Sequence, residues 1–201
     1  MSLPKSQNIQ IRRGTTFKFP LRWESEPLVY KAITGMEQSA PCRLTVEDHD
    51  MPDGWRAAVV CAKGMVDLNA KSNPPKDSDY HVFTVVDDDT LEINGKSCAC
   101  FKPYTSGGYI QYYTPHDLSG YTARMSIKDK DGGTELMSLT TENSRISVDD
   151  AGKIITLTIS ADDTEVIEFS KGVYDLELVS PTGIVTTLLV GAVSVMSEIT
   201  T

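Results

Sequence analysis

The chain has 201 residues, of which 40% are hydrophobic and 23% charged, so its composition is that of a globular protein and not of a disordered one. Its net charge of −9 argues against nucleic-acid binding by neutralisation of many phosphates. The longest apolar stretch, residues 184–195, is interrupted by threonine, glycine and serine and falls short of the roughly 20 residues that a membrane-spanning helix needs. Since the N-terminus lacks the apolar core of a signal peptide, we expect a protein made in the cytoplasm with no membrane partner.

The N-terminal segment contains a clear strand pattern. The sequence TTFKFPLRW, residues 15–23, places its two phenylalanines, Leu21 and Trp23 on one face at a period of two, which predicts a half-buried strand. Pro20 falls on the other face and cannot donate a ladder hydrogen bond. We therefore expect an edge strand.

The same segment is basic. Residues 1–30 carry five basic and two acidic side chains, whereas residues 112–201 carry six basic and fourteen acidic ones. The basic segment can pair with the acidic part of its own chain or with an acidic patch on a neighbouring subunit, and the sequence leaves both open. Its interface candidates are Arg12, Arg13, Lys18 and Arg22.

Residues 31–111 form a middle segment of different character. It contains all four cysteines, two of the three histidines and the pair Pro74–Pro75, and its apolar runs are short. We interpret it as a second, small all-β unit inserted into a parent domain.

Strand patterns resume after the middle segment. They are separated by turn signals such as Lys130–Gly133 and cover residues 121–129, 136–139, 145–148, 153–159, 172–179 and 184–196. One short helix is predicted over residues 160–169, with Ser160 as its N-cap and with Val166 and Phe169 as its apolar face.

Short strands with turns about every ten residues favour a sandwich or a barrel. The strands on both sides of the middle segment share one pattern. We therefore predict an all-β fold in which residues 1–30 and 112–201 form one split domain and residues 31–111 form an inserted small all-β unit, each of them a sandwich or a barrel.

The cysteines and histidines form no familiar catalytic motif. Cys42, Cys61, Cys98 and Cys100 include no C-x-x-C pair, so zinc is not indicated, although a site shared with His49 or His81 is the alternative. Without an export signal, we expect free cysteines that act as small buried hydrophobes and not a disulfide. We expect the side chain of His49 to brace the Asp-Gly turn that follows it. Since no nucleophile–base motif is present, we predict no catalytic residue, no cofactor and no metal.

Several short motifs in the middle segment resemble those of a module of phage structural proteins. This module is named after the half-domain of ubiquitin-activating enzymes that bears the first catalytic cysteine. The matching residues, in order, are Ile33–Gly35, Pro41, His49–Gly54, Gly64–Asn69, Thr90–Glu92 and Tyr104–Gly108. The stretch 70–80 is longer than the short turn usual in the module. The resemblance implies a small barrel and a virion protein, and it does not imply ubiquitin chemistry.

The flanking segments resemble the N-terminal β-sandwich of phage upper-baseplate and tail-fibre adaptor proteins. The matching residues are Arg13–Phe17, Trp23, Asp117–Met125, Leu139–Glu142, Ile155–Ile159 and Tyr174–Leu178. This resemblance implies that residues 1–30 and 112–201 form an Ig-like, baseplate-type β-sandwich. Such a sandwich docks on other phage structural proteins in a symmetric, multi-copy assembly within the virion, after assembly in the host cytoplasm.

Four tyrosines lie within ten residues at the end of the middle segment: Tyr104, Tyr109, Tyr112 and Tyr113. Tyrosine favours both protein interfaces and sugar-binding surfaces, but in an exit strand it also serves as core. The expected function is that of a non-enzymatic tail, baseplate or tail-fibre adaptor, with these tyrosines, the basic residues and the tail 197–201 as interface candidates. The alternatives are a capsid decoration or head-fibre base protein and a module that binds a receptor or host surface glycan.

Overall fold

A computed structural model describes residues 4–198, and the chain divides into two compact units. One unit combines the N-terminal residues through Trp23 with the residues from Asp117 onwards, and the other comprises Glu24–His116. The predicted divisions after residues 30 and 111 fall inside two strands of the second unit. These strands pair with each other from Tyr109 opposite Ala32 to Pro115 opposite Glu24, so the chain divides outside them.

The described residues form sixteen strands, one short α-helix and two 3₁₀ helices. The strands are β1 (Lys5–Ser6), β2 (Ile9–Arg12), β3 (Phe17–Leu21), β4 (Glu24–Ala32), β5 (Gly35–Glu37), β6 (Cys42–Thr45), β7 (Arg56–Val60), β8 (His81–Asp87), β9 (Thr90–Ile93), β10 (Tyr109–Pro115), β11 (Thr122–Lys128), β12 (Glu135–Thr140), β13 (Ile146–Asp149), β14 (Ile154–Ile159), β15 (Lys171–Val179) and β16 (Val185–Met196). The 3₁₀ helices span Val66–Leu68 and Asp77–Asp79, and helix α1 spans Ala161–Glu165. The prediction of an all-β fold with one short helix is confirmed.

The first unit is built from two sheets. A six-stranded sheet has the order β1-β16-β15-β11-β12, with β2 also paired to β16, and a three-stranded sheet has the order β13-β14-β3. Alternate side chains of both sheets fill one core, which includes Met125 and Ile127 from β11, Leu176 from β15, and Ile155 and Leu157 from β14. The unit is therefore a β-sandwich.

The N-terminal strands belong to both sheets of this sandwich. β1 and β2 run parallel to β16, and β3 runs antiparallel to β14, with Phe19 opposite Leu157. β3 is an edge strand and carries Pro20 on its exposed side, as the sequence predicts. The close approach of β1 requires Gly191, because a Cβ atom there would collide with the carbonyl oxygen of Gln7.

The predicted helix is shorter than the sequence pattern suggests. Ser160 caps it by accepting a hydrogen bond from the Asp163 N–H at 3.1 Å, but the helix ends at Glu165. Val166 is therefore exposed, and Ile167 enters the core instead. The prediction that Val166 forms an apolar helix face is wrong, because only one turn of helix forms.

The second unit is a closed barrel. Its strands follow the order β4-β10-β7-β8-β9-β6-β5, and only Ile33 and Thr34 separate the first strand of this path from the last. The Ile33 N–H donates to Gly108 on the β10 side, and the Thr34 N–H donates to Thr45 on the β6 side. One bent strand, β4 followed by β5, thus closes the ring of strands.

The barrel encloses its own hydrophobic core. Trp55, Phe83, Leu44 and Ile110 are all fully buried there. Gly64 brings its loop against the backbone of residues 103–105 so closely that a Cβ atom would not fit. No helix within residues 4–198 is long and apolar enough to cross a membrane.

Candidate functional site

The four candidate tyrosines occupy different positions, because Tyr104 precedes β10 and the other three lie on β10, which alternates between the inside and outside of the barrel. Tyr112 points inward, is 2% exposed and donates a hydrogen bond to the His49 carbonyl at 2.6 Å. Tyr104 lies in the preceding loop, with its hydroxyl 2.9 Å from the Ile33 carbonyl. Both therefore hold the barrel together. Tyr109 and Tyr113 point outward, and Tyr109 is 47% exposed.

A further tyrosine, which the sequence reasoning missed, lies beside them. Tyr30 on β4 is paired with Gln111 on β10 and is 54% exposed, more than any of the four candidates. Since Tyr109 is two residues from Gln111, Tyr30 and Tyr109 are diagonal neighbours on one outer face. The sequence signal for this tyrosine was its position, with Leu28 and Ala32, on one face of a possible strand. Pro27, directly before these residues, argued against a strand there. We call Tyr30 and Tyr109 the exposed tyrosine pair.

On the same outer face, an arginine on β7 joins several elements; Arg56 lies two residues from Ala58, which pairs with Gln111. The Arg56 guanidinium on β7 contacts Glu24 through two nitrogens, donates to Asp77 at 3.2 Å and lies 5.2 Å above the ring centre of Tyr80. The hydrogen bonds to Glu24 raise the pKa of Arg56 above its ordinary value. Arg56 therefore stays charged and held in one orientation.

The tyrosine ring beneath Arg56 belongs to the stretch 70–80. Tyr80 stacks on Tyr113 with ring centres 6.2 Å apart, and its hydroxyl accepts a hydrogen bond from Gln111 at 3.2 Å. Within the stretch, the carboxylate of Asp79 accepts hydrogen bonds from the Ser72 hydroxyl and from the backbone N–H groups of Lys76 and Lys71, which lower its pKa to about 2. Residues 70–80 thus form an ordered extension of the outer face.

The basic candidates of the sandwich unit divide between its two sheets. Arg12 ends β2 in the six-stranded sheet, and Lys18 lies on β3 in the three-stranded sheet, both with exposed side chains. Arg13 donates to the Glu168 carbonyl at 3.4 Å, and its Nε atom is buried with no hydrogen-bond partner. Arg22 donates to the Gly152 carbonyl at 2.6 Å. Two of the four thus bind backbone oxygens of their own unit. Of the candidate tail, residues 199–201 lie outside the described residues.

His49 sits at the turn where its sequence motif predicts it. The imidazole is 3% exposed; Nδ1 accepts the Met51 N–H at 3.0 Å, and Nε2 lies 2.8 Å from the Asp87 carbonyl. The neutral ring with a proton on Nε2 satisfies both contacts. Asp53 in the same turn accepts the Val85 N–H at 3.0 Å. His49 therefore braces the turn. His81 lies on β8, and burial lowers its pKa.

The expectation that all cysteines are free and buried is wrong. Cys42 and Cys98 form a disulfide, with their Cα atoms 5.2 Å apart, whereas Cys61 and Cys100 are free and exposed. Residues 94–101 fold back as turns, which brings Cys98 to the start of β6, a contact that spacing alone does not reveal. Cys98 and Cys100 therefore lie in this loop and not in a strand. Within residues 4–198, no group of three or more potential metal ligands is present.

No protein-family model matches the sequence, and no curated protein matches it significantly.

Proposed function

We propose that the protein is a non-enzymatic structural component of a phage virion, a tail, baseplate or tail-fibre adaptor subunit that joins neighbouring virion proteins. The proposal rests on the ordered series of module motifs in residues 33–108 and on the sandwich motifs that flank them. The all-β architecture, with a sandwich and a barrel in one chain, is in keeping with such a role.

The contacts of the shared motif residues support a structural module. His49 and Asp53 hold one turn, Gly64 permits a close backbone contact, and Tyr104 binds a backbone carbonyl. Each of these residues serves the internal stability of the barrel. Residues with these roles form a scaffold, so any binding function has to lie on the outer surface of the barrel.

The exposed tyrosine pair is the observation that carries the binding role. Tyrosine is enriched at protein interfaces, because it provides a large, stiff contact area together with a hydroxyl. On the same face of the barrel, Arg56 is held by Glu24 and Asp77, so that part of the surface is already ordered before a partner binds. Repeated copies of a modest contact of this kind add up in a symmetric assembly.

Labelling of purified particles with an antibody against the chain tests the location. Label on the tail or baseplate supports the adaptor proposal, and label on the head favours the capsid decoration or head-fibre alternative. A particle without the chain overturns both. The double variant Tyr30→Ala/Tyr109→Ala should reduce incorporation into particles, whereas Val66→Ala, which removes an equally exposed apolar side chain of the barrel, should not.

Glycan binding is a second candidate, favoured by the same exposed pair. Aromatic faces stack on sugar rings, and Arg56 supplies a charged group on the same face of the barrel. Binding of the chain to a glycan array, lost in the double tyrosine variant and retained in Val66→Ala, would favour this candidate over the adaptor. Absence of binding to any glycan would remove it.

A further inference from the structure

The disulfide of the barrel is closed off from solvent. Cys42 and Cys98 are both 0% exposed and lie in the hydrophobic core with Leu44 and Ile93. Their backbones are also tied down, since the Cys42 N–H donates to Lys96 and the Cys98 N–H donates to Ser39. In the folded barrel, a dissolved oxidant has no direct path to either sulfur.

Disulfide formation nevertheless requires contact between a thiolate and an oxidant. A small disulfide reacts only with a thiolate that it can approach, so its rate depends on the access of that thiol. The buried pair must therefore be oxidised before the barrel closes, after it opens, or through another sulfur that solvent can reach.

Cys100 is such a sulfur. It is free and exposed, and it lies two residues from Cys98. The Phe101 N–H donates to the Cys98 carbonyl at 3.0 Å, so residues 98–101 form a turn with Cys100 inside it. Two residues of one turn lie within the roughly 4.4–6.8 Å between Cα atoms that a disulfide spans.

We propose that Cys100 is the entry thiol through which a small disulfide, such as glutathione disulfide, oxidises the buried pair. The Cys100 thiolate attacks one sulfur of glutathione disulfide, forming a mixed disulfide and releasing one glutathione thiolate. The Cys98 thiolate attacks the Cys100 sulfur and releases the second glutathione thiolate. The Cys42 thiolate then attacks the Cys98 sulfur, and Cys100 leaves as a thiolate.

The electrons and protons of this sequence balance. Two protein thiols are oxidised to the Cys42–Cys98 disulfide, and one glutathione disulfide is reduced to two glutathione molecules. The two protons lost by Cys42 and Cys98 are taken up by the glutathione thiolates. Cys100 ends as the free thiol that the structure contains.

Cys61 provides a matched control. It is also free and exposed in the barrel unit, but it follows β7 and is 37 residues from Cys98 in sequence. If any exposed thiol could pass oxidation to the buried pair, loss of Cys61 and loss of Cys100 would slow its oxidation equally. Under the proposal, only the loss of Cys100 slows oxidation of the buried pair.

The experiment compares the full-length wild type with Cys100→Ser and Cys61→Ser. Each chain is reduced in denaturant, refolded into buffer without reductant, checked for native far-UV circular dichroism and mixed with glutathione disulfide. Acid quenching and peptide mass mapping then follow the Cys42–Cys98 disulfide. We expect Cys100→Ser to form it about tenfold or more slowly, because the pair must then wait for local opening, and Cys61→Ser to match the wild type. Equal rates for Cys100→Ser and the wild type would overturn the proposal.

A Cys42→Ser variant examines the intermediate. With the last attacking thiol removed, the first two steps can proceed and the third cannot, so a Cys98–Cys100 disulfide should accumulate. Its detection by peptide mapping supports the relay. If glutathione remains attached to Cys61 while Cys98 and Cys100 both stay reduced, Cys100 is not the entry thiol.

Discussion

The sandwich and the barrel of this chain are both all-β, but they are held together in different ways. The sandwich depends on side chains that alternate along its strands, as in β14, where Ile155, Leu157 and Ile159 all point into the core. The barrel adds a buried disulfide, Cys42–Cys98, which joins two segments far apart in sequence, whereas the sandwich unit contains no cysteine. Side chains bind loop backbone in both units; in the barrel, the Asn69 amide donates to the Ala62 carbonyl and accepts the Ala62 N–H. Strand alternation alone therefore specifies the sandwich better than it specifies the barrel.

Replacement of the two tryptophans, one in each unit, should have the largest effect on stability. Trp55 is fully buried in the barrel and donates from Nε1 to the Tyr113 carbonyl, whereas Trp23 is half-buried in the sandwich against Tyr121. We expect Trp55→Ala to lower the free energy of unfolding by about 3–5 kcal/mol and Trp23→Ala by roughly half of that, because less area is lost. Urea unfolding measures both, and a larger cost at Trp23 would contradict the assignment.

Loss of the Cys42–Cys98 disulfide should have the next largest effect, and only in the barrel. The bond joins residues 56 apart in sequence, so its removal from Cys42→Ser/Cys98→Ser should cost about 2–4 kcal/mol by freeing the unfolded chain. Hydrogen exchange should show weaker protection in β6 and β9. The control Cys61→Ser/Cys100→Ser, oxidised to completion so that the Cys42–Cys98 bond is present, should keep its protection. Equal loss of protection in this control would argue against the disulfide as the cause.

A matched pair of tyrosine hydroxyls should have smaller effects. Tyr112 in the barrel donates to the His49 carbonyl, and Tyr174 in the sandwich donates to the Gln7 carbonyl at 2.8 Å. Replacing either by phenylalanine removes one hydrogen bond to a backbone carbonyl, for a cost of about 1–2 kcal/mol. Unequal costs, measured by urea unfolding, would show that the two carbonyls differ in their access to water.

The same pair predicts a loss of stability in alkali. Burial raises the pKa of Tyr112 to about 12, compared with about 10 in an unfolded chain, and it also raises the pKa of Tyr174. Between these two values the unfolded Tyr112 ionises and the folded one stays neutral, so stability falls as the pH rises from about 10 to about 12. Tyr112→Phe should make this decline less steep, and an unchanged slope would contradict the raised pKa.

Cross-strand ion pairs should matter least in both units. Arg43 faces Glu92 in the barrel, and Arg124 faces Glu177 in the sandwich, each directly opposite its partner in an antiparallel ladder. Since both arginines are substantially exposed, Arg43→Ala and Arg124→Ala should each cost about 0.2–1 kcal/mol, less at high salt. A cost that persists in 1 M NaCl would point to packing of the arginine stem instead.

Much of the sandwich was predictable from sequence. The alternation over residues 15–23 and 121–129 predicts β3 and β11, and Pro20 correctly predicts an edge strand. The 24–32 strand was missed, because its two glutamates and a proline resemble a turn, although Pro27 is tolerated there on the exposed side. Neighbouring strands are thus easier to predict than the point at which the chain changes from one unit to the other.

The candidate surface was predictable only in part. The cluster of tyrosines indicated the right strand, but its alternation turns Tyr112 inward and leaves Tyr109 outside. Tyr30 joins Tyr109 only through the pairing of β4 with β10, and Cys98 meets Cys42 only through a loop that folds back. Such long-range contacts depend on register and closure, which a local pattern does not contain.

The pairing of Glu24 with Pro115 means that the barrel starts and stops on adjacent strands. A recipient protein would therefore need only a loop whose two chain ends lie about 5 Å apart, the ordinary cross-strand distance, to accept residues 24–116 as an inserted domain.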